Sequence, residues 1–158
     1  MQGVKVRTAA LLVVTAASLG CGSRAILSPS AAAPVSPSDV AFCASEINRY
    51  RTAIGRSQLT RSRPLEQNAA AAAEYDSAVR IPHAHFATSL RMPIVIAETE
   101  IMWWSGYDVR SVIEKGLAQM WANGPATGHY DVLAGAFTQV GCGIFVNGSE
   151  VTVVQDFR

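Results

Sequence analysis

Apolar residues recur every three to four positions in several stretches of the chain, which predicts amphipathic helices. The first helix is predicted to begin at Ser36, where a serine precedes a proline, and to end at Gly55. A second is predicted to begin after Ser62 and to end before Pro82. A third is predicted to begin at Asp108, a favourable N-cap residue, and to end at the Gly-Pro pair that follows. The buried face of the first helix is predicted to comprise Val40, Cys43, Ala44, Ile47, Tyr50 and Ile54.

Other segments have the apolar character of strands. Residues 93–97 form a short apolar run that ends at Glu98, which predicts a buried strand. Residues 137–146 and 150–157 flank Asn147-Gly148, and this dipeptide between two apolar segments is a strong signal for a β-hairpin. Helices combined with a strand and a hairpin predict an α+β fold, with an antiparallel sheet covered by helices.

The N-terminal part of the chain differs in composition from the rest. Residues 1–25 resemble an export leader, with a basic start and an apolar run too short to span a bilayer comfortably. A Ser-Leu-Gly-Cys sequence ending at Cys21 resembles a lipoprotein cleavage box with serine where leucine is usual, so lipidation of Cys21 and plain cleavage are both open. Residues 26–37 are rich in Ser, Ala and Pro and are predicted to be a tether. Residues 38–158 have the length of one domain.

The charge of the domain disfavours nucleic acid as a partner. Of the 13 basic residues, Lys5, Arg7 and Arg24 belong to the leader, which leaves ten against 12 acidic residues. Basic residues do concentrate between the first two helices, where we interpret them as a solvated helix face and turn without a functional role. These residues are Arg49, Arg51, Arg56, Arg61 and Arg63.

The cysteine content permits one disulfide bond in the domain. Because Cys21 belongs to the leader, Cys43 and Cys142 remain as a pair that an oxidising compartment would join. Such a bond would link the first helix to the first strand of the hairpin. Two buried free thiols are the alternative.

A histidine motif near the C-terminus indicates a family. Gly128, His129 and Tyr130 follow the third helix, and a glycine-rich segment at 140–143 leads into the predicted hairpin. This arrangement resembles the signature of the CAP superfamily, which includes cysteine-rich secretory proteins, venom antigens and pathogenesis-related proteins. The resemblance implies an α-β-α sandwich. Three residues after Trp121, where the fuller form of the family has a glutamate, this chain has a glycine, so it is more similar to the shortened bacterial version.

The same resemblance implies a cleft lined by His85, Glu98 and His129, with Tyr130 beside it as a hydrogen-bonding group. His83 is an alternative to His85, because both follow the second helix. Imidazole nitrogens and carboxylate oxygens suit zinc or another divalent cation, so His85, His129 and Glu98 are the predicted metal ligands. A purely structural hydrogen bond between His129 and Glu98 is the alternative to a ligand site.

The family resemblance implies an exported binding or effector domain, located outside the cell, in the periplasm or at the cell surface. Its cleft is expected to take a divalent cation or a small ligand. The expected partners are a small apolar ligand or an extracellular protein, with membrane contact only through a lipid anchor, and the protein is expected to be a monomer. A metal-dependent hydrolase and a surface adhesion module with a vestigial cleft are the alternatives. Catalysis is not expected, because the chain lacks a His-Glu-x-x-His sequence and a Gly-x-Ser-x-Gly elbow. Glu100 and Glu114 are both open as substitutes for the missing glutamate.

Overall fold

The computed structural model describes residues 35–89 and 94–158. The leader, most of the tether and Cys21 lie outside the described residues. Within these ranges the chain forms α1 (Pro37–Ala53), β1 (Thr60–Arg61), α2 (Arg63–Val79), α3 (Ala84–Ser89), β2 (Ala97–Ser105), α4 (Val109–Ala122), α5 (Gly128–Leu133), β3 (Gln139–Asn147) and β4 (Glu150–Phe157). None of the helices in the described part of the chain has the length and apolar character needed to cross a bilayer.

The strands form one sheet in the order β1-β3-β4-β2. Strand β4 pairs antiparallel with both β3 and β2, whereas the two-residue β1 pairs parallel with β3. Helix α2 packs on one face of the sheet, and α1 and α4 pack on the other. The predicted α+β fold and α-β-α sandwich are therefore confirmed, with one short parallel strand added to the antiparallel sheet.

The structure confirms the three predicted helices. Their start signals involve residues only a few positions apart in the chain. At the start of α1, the backbone N–H of Ser36 donates to Asp39 Oδ2 at 3.3 Å. At the start of α4, the backbone N–H of Ser111 donates to Asp108 Oδ1 at 3.0 Å. The bond at α4 satisfies an N–H group that has no partner within the helix.

The first predicted strand is displaced along the chain. Strand β2 begins at Ala97 and continues through Glu98 to Ser105, whereas the prediction ended at Glu98. The apolar run before it is not buried throughout, because Ile94 is 39% exposed and Ile96 is 61% exposed. Glutamates at 98 and 100 are instead buried within β2, where a polar residue is not expected from composition.

The predicted hairpin is confirmed, with its turn one residue later. Asn147 pairs with Glu150, so Gly148 and Ser149 form the two-residue turn between β3 and β4. Gly148 has φ of +61° and Ser149 has a negative φ, which is typical of a II′ turn with glycine in its first position.

The glycine-rich character of β3 has a packing cause. A Cβ atom at Gly143 would lie 2.0 Å from the carbonyl carbon of Ala69, and one at Gly141 would lie 2.3 Å from the backbone nitrogen of Glu66. The backbone of α2 therefore rests directly on β3, and small residues on α2 allow this approach. This close contact brings the polar residues of α2 within reach of the sheet.

The predicted disulfide bond is confirmed. Cys43 on α1 is bonded to Cys142 on β3, with a Cα–Cα distance of 6.3 Å and a sequence separation of 99. Both residues are buried in the core between α1, α4 and the sheet. For a loop of about 100 residues the chain-entropy model gives a stabilisation on the order of 4 to 5 kcal/mol.

The interpretation of Arg51 as a solvated residue is wrong. Its side chain is 1% exposed and donates hydrogen bonds to the carbonyl oxygens of Ser57, Leu133 and Gly135, at 3.0, 2.8 and 2.8 Å. Burial lowers the pKa of this guanidinium. Arg51 thus fastens α1 to the end of α5 and to the loop after it.

Candidate functional site

Four carboxylates are buried between α2 and the sheet. Glu98 and Glu100 are two positions apart on β2, so both side chains lie on the same face. Asp156 pairs directly opposite Glu98 on β4. Asp76 belongs to the buried face of α2, and all four residues are at most 8% exposed. We call Asp76, Glu98, Glu100 and Asp156 the acid cluster.

His83 covers the two glutamates of the acid cluster. Its Nδ1 lies 2.8 Å from Glu98 Oε1 and 3.8 Å from Glu100 Oε2, and its backbone N–H donates to Glu100 Oε2 at 2.8 Å. The side chain of His83 is 43% exposed, whereas that of Glu98 is fully buried. His83 also has φ of +58°, a left-handed conformation that is uncommon for residues other than glycine. His83 thus connects the acid cluster to solvent.

The two aspartates are each held by a donor from a neighbouring element. The side-chain amide of Asn68 on α2 donates to Asp156 Oδ2 at 2.8 Å. The backbone N–H of His85, at the start of α3, donates to Asp76 Oδ1 at 2.7 Å. Each carboxylate of the acid cluster therefore has one oxygen that accepts a hydrogen bond or contacts His83.

The second oxygen of each carboxylate has no donor among the residues that the structure describes. A buried acceptor without a partner is energetically unfavourable, and four such oxygens in one cluster need protons or a cation. The four atoms are Asp76 Oδ2, Glu98 Oε2, Glu100 Oε1 and Asp156 Oδ1. Their number and proximity make this region the strongest site candidate in the described part of the chain.

The pKa values indicate where protons are held in the absence of a cation. Burial, followed by the contact with Asp76, raises the pKa of the Glu100 carboxyl to about 9. Burial also raises the pKa of Asp156 to about 8, and the neighbouring Glu98 contributes to this increase. The hydrogen bond to Glu98 raises the pKa of His83, although burial opposes it. Near neutral pH, Glu100 and Asp156 therefore retain their protons.

The geometry of the site also fits a metal ion. His83, Glu98 and Glu100 each offer one ligand atom, and these atoms all lie within 4.8 Å of one another. One imidazole and two carboxylates form a ligand set that suits zinc, with at least one position left for water or a partner group. The unpartnered oxygens of the two glutamates support this fit, because a cation would satisfy them. Of the two glutamates that were open as substitutes for the missing one, Glu100 belongs to this group and Glu114 does not.

The predicted ligand set of His85, Glu98 and His129 is not the set that the structure assembles. The ring of His85 packs edge-on against Tyr75, with 6.1 Å between ring centroids, while its neighbour His83 reaches Glu98. The backbone N–H of His83 contacts Glu100, and its Nδ1 contacts Glu98, both on β2. Of the two candidates after the second helix, His83 therefore approaches the glutamates.

His129 lies in the first turn of α5, and its Nδ1 is 3.4 Å from the side-chain nitrogen of Asn123. His129 and Glu100 both line a cavity of about 140 Å³ beside α4. Tyr130 packs against Trp121 with the rings tilted at 44° and 4.6 Å between their centroids. Within the described residues, neither His129 nor Tyr130 belongs to the group formed by His83 and the glutamates.

Sequence reasoning missed Asn68, Asp76 and Asp156. Asp76 lies seven residues after Ala69 and four after Ala72, so helical spacing places it on the buried face of α2. Asp156 is a charged residue near the end of β4, a strand that otherwise contains mainly apolar residues. A polar residue on an otherwise buried face was the signal that could have identified them.

Solved structures define the class of fold. An outer surface protein from Borrelia burgdorferi matches with a TM-score of 0.54 and 18% identity, over 79% of this chain and 96% of that one. Na-ASP-1 matches with a TM-score of 0.58 and 13% identity, over 83% of this chain and 41% of that one. A cysteine-rich secretory protein from Staphylococcus aureus matches with a TM-score of 0.52 and 15% identity, over 79% of this chain and 40% of that one. At these identities the similarity shows the fold, which is that of CAP-type α-β-α sandwiches.

The family follows from the sequence match. The family model described as "CAP: Cysteine-rich secretory protein family" matches residues 44–157. Because this range covers well over half of the chain, the protein belongs to the CAP family, and a shortened form of the domain fits its length. A comparison with curated proteins finds no significant match.

Proposed function

We propose that this protein is an exported CAP-family binding domain that holds one divalent cation at His83, Glu98 and Glu100. The observation that carries the proposal is the set of buried carboxylate oxygens without donors, among the described residues, next to a partly exposed imidazole. A cation would neutralise the two glutamates and satisfy their unpartnered oxygens. Zinc is the first choice, because nitrogen and oxygen ligands in this number are typical of it.

The exposure of His83 supports a role in binding. Because its side chain is 43% exposed, a cation at this imidazole would be reached from solvent and would keep a position for water or for a group on a partner. The cation would then act as an anchor for an anionic group. The hydrolase and the adhesion module considered from the sequence stay predictions.

Export is part of the proposal. It is supported by the leader-like residues 1–25 and by the disulfide bond between Cys43 and Cys142, since such bonds persist in oxidising compartments. Two similar structures are described as an outer surface protein and as a cysteine-rich secretory protein. Lipidation of Cys21 stays a prediction.

Zinc titration of chelator-treated protein tests the proposal. We expect calorimetry to give one zinc ion per chain, and we expect a loss of affinity of about tenfold or more in His83→Ala and Glu98→Gln. At a free zinc concentration of about 100 times Kd, the ion should stabilise the fold by about 2.7 kcal/mol.

Three control variants make the test specific. Glu114→Gln changes an exposed carboxylate on α4 and should leave zinc affinity unchanged. His85→Ala and His129→Ala should each have a smaller effect than His83→Ala. Absence of zinc binding to the unmodified protein would refute the proposal, and a dominant effect of His129→Ala would restore the site predicted from sequence.

A further inference from the structure

The outer edge of β3 is only partly paired. Strand β1 pairs with β3 at Gln139 and Val140, and the last bond between them runs from the backbone N–H of Ser62 to the carbonyl oxygen of Val140 at 2.9 Å. Beyond Ser62 the chain continues into α2 and leaves this edge. Strand β3 extends to Asn147, so most of its outer edge has no neighbouring strand among the described residues.

The register of the hairpin identifies the backbone groups that face outward. Gln139 and Arg158 exchange two backbone hydrogen bonds, at 2.8 and 3.1 Å, so the odd-numbered residues of β3 bond to β4. The backbone groups of the even-numbered residues then point away from β4, as the bond from Ser62 to Val140 shows. Further along, the N–H and C=O groups of Ile144 and Val146 face outward, and no backbone bond from the described residues reaches them.

The two edges of the sheet differ in their protection against further pairing. Strand β2, at the other edge, carries two glutamates and a bulge between Ile101 and Trp104, and charges and bulges disfavour the addition of a strand. Strand β3 has no charged residue and no proline along its length, and its pairing with β4 is regular. The edge of β3 is therefore suited to pairing with an extended segment.

A groove of about 390 Å³ lies along this edge, between the starts of α1 and α2. Cys142, Gly143 and Ile144 form its floor, and Val40 of α1 and Ala70 of α2 belong to its walls. The groove thus gives an extended segment access to the outward-facing backbone groups of Ile144.

The rim of the groove is positively charged. Arg61 and Arg63 line it, and Glu66 is the acidic residue among its lining. Arg61 Nε lies 2.7 Å from Glu66 Oε1, whereas Arg63 is exposed and forms no ion pair with a described residue. An acidic side chain on a partner would therefore be complementary to Arg63.

We propose that the edge of β3 binds an extended acidic segment of an extracellular protein, which adds to the sheet as a strand beside Ile144 and Val146. In this mode of recognition, main-chain hydrogen bonds supply affinity and side-chain contacts supply specificity. A carboxylate of the segment contacts Arg63, which we interpreted from the sequence as a solvated residue without a role. This surface is separate from the proposed cation site, because none of the three proposed ligands lines the groove.

A capped, fluorescently labelled heptapeptide is the probe. Its sequence alternates valine and threonine between two terminal glutamates, so it favours a strand and presents a carboxylate to Arg63 in either orientation. We expect saturable binding to the unmodified protein, measured by fluorescence anisotropy in the presence of chelator. A control peptide with methylated central amide nitrogens should not bind, because methylation removes the N–H donors that pair with the edge.

Two pairs of variants test where the peptide lies. Ala70→Trp fills the groove and should abolish binding, whereas Ala71→Trp, at an exposed position outside the groove, should not. Arg63→Glu should weaken binding by about two- to fivefold at low salt, and it should not weaken binding of a peptide with terminal glutamines. Arg56→Glu makes the same change of charge at an exposed position outside the groove and should have little effect. Circular dichroism and thermal unfolding identify the variants that fold.

Absence of saturable binding to the unmodified protein would overturn the proposal, as would equal binding of the methylated peptide or equal binding to Ala70→Trp. Equal binding to Arg63→Glu would refute the acidic character of the partner. Dimerisation that Ala70→Trp abolishes would identify a second copy of the chain as the occupant instead. A large gain in peptide affinity on deletion of residues 26–34 would identify that segment as the occupant. Because zinc is absent from these measurements, the proposal can fail while the cation site stands, and the reverse also holds.

Discussion

The stability of the cation-free protein is expected to fall as pH rises, and the acid cluster sets the magnitude. The pKa of Glu100 is raised from 4.5 to about 9, and that of Asp156 is raised from 3.8 to about 8. At a pH between the pKa of a carboxyl in the unfolded chain and its higher pKa in the folded protein, the folded protein binds more protons than the unfolded chain. The free energy of unfolding therefore decreases with pH, by about 1.4 kcal/mol per pH unit for each proton involved.

His83 also makes the free energy of unfolding decrease as pH rises. Its pKa is raised by Glu98, so its contribution is fully present below the ordinary value of 6.5 and is lost as pH rises through the higher value of the folded protein. The decrease in stability should thus be steepest between about pH 5 and pH 8, the interval in which Glu100 and Asp156 are protonated only in the folded state.

Urea unfolding in the presence of chelator, followed by tryptophan fluorescence at pH values across this interval, measures how steeply the free energy of unfolding changes with pH. Glu100→Gln keeps the shape of a neutral carboxyl and should reduce the slope by about one proton, or about 1.4 kcal/mol per pH unit. Glu114→Gln, on an exposed position, should leave the slope unchanged. A free energy of unfolding that is constant or rises over this interval would refute the assignment of buried protons to the cluster.

Two further substitutions test how the scaffold positions the site. Gly143→Ala should destabilise the fold by about 2 to 3 kcal/mol and weaken zinc binding, because its Cβ would meet the backbone of Ala69 at 2.0 Å and displace α2. Gly128→Ala is the control, because nothing lies within 4 Å of a Cβ at that position. Equal stability of the two variants in urea would contradict the packing argument. Arg51→Met should cost about 3 kcal/mol or more, because three carbonyl oxygens lose a charged donor. A loss below about 1 kcal/mol in urea unfolding would show that water replaces the guanidinium.

The elements that sequence predicted well are those with local causes. Serine and aspartate caps identified the starts of α1 and α4, because a cap bonds to backbone groups only a few residues away. The Asn-Gly dipeptide identified the hairpin for the same reason. Strand β2 was placed too early, since exposed isoleucines precede it and buried glutamates lie within it. Burial of those glutamates depends on α2 and β4, which are distant in sequence.

The sequence by itself indicated the family through a motif resemblance, the three longer helices and the hairpin through local signals, and the cysteine pair through elimination, whereas α3 and α5 were not predicted. Only the tertiary structure decided which histidine meets the glutamates. His83 and His85 are nearly equivalent in sequence, and the contact of His83 with Glu98 in the folded protein separates them. The structure also revealed the aspartates of the acid cluster, because side chains on α2, β2 and β4 meet only when α2 packs directly on the glycines of β3.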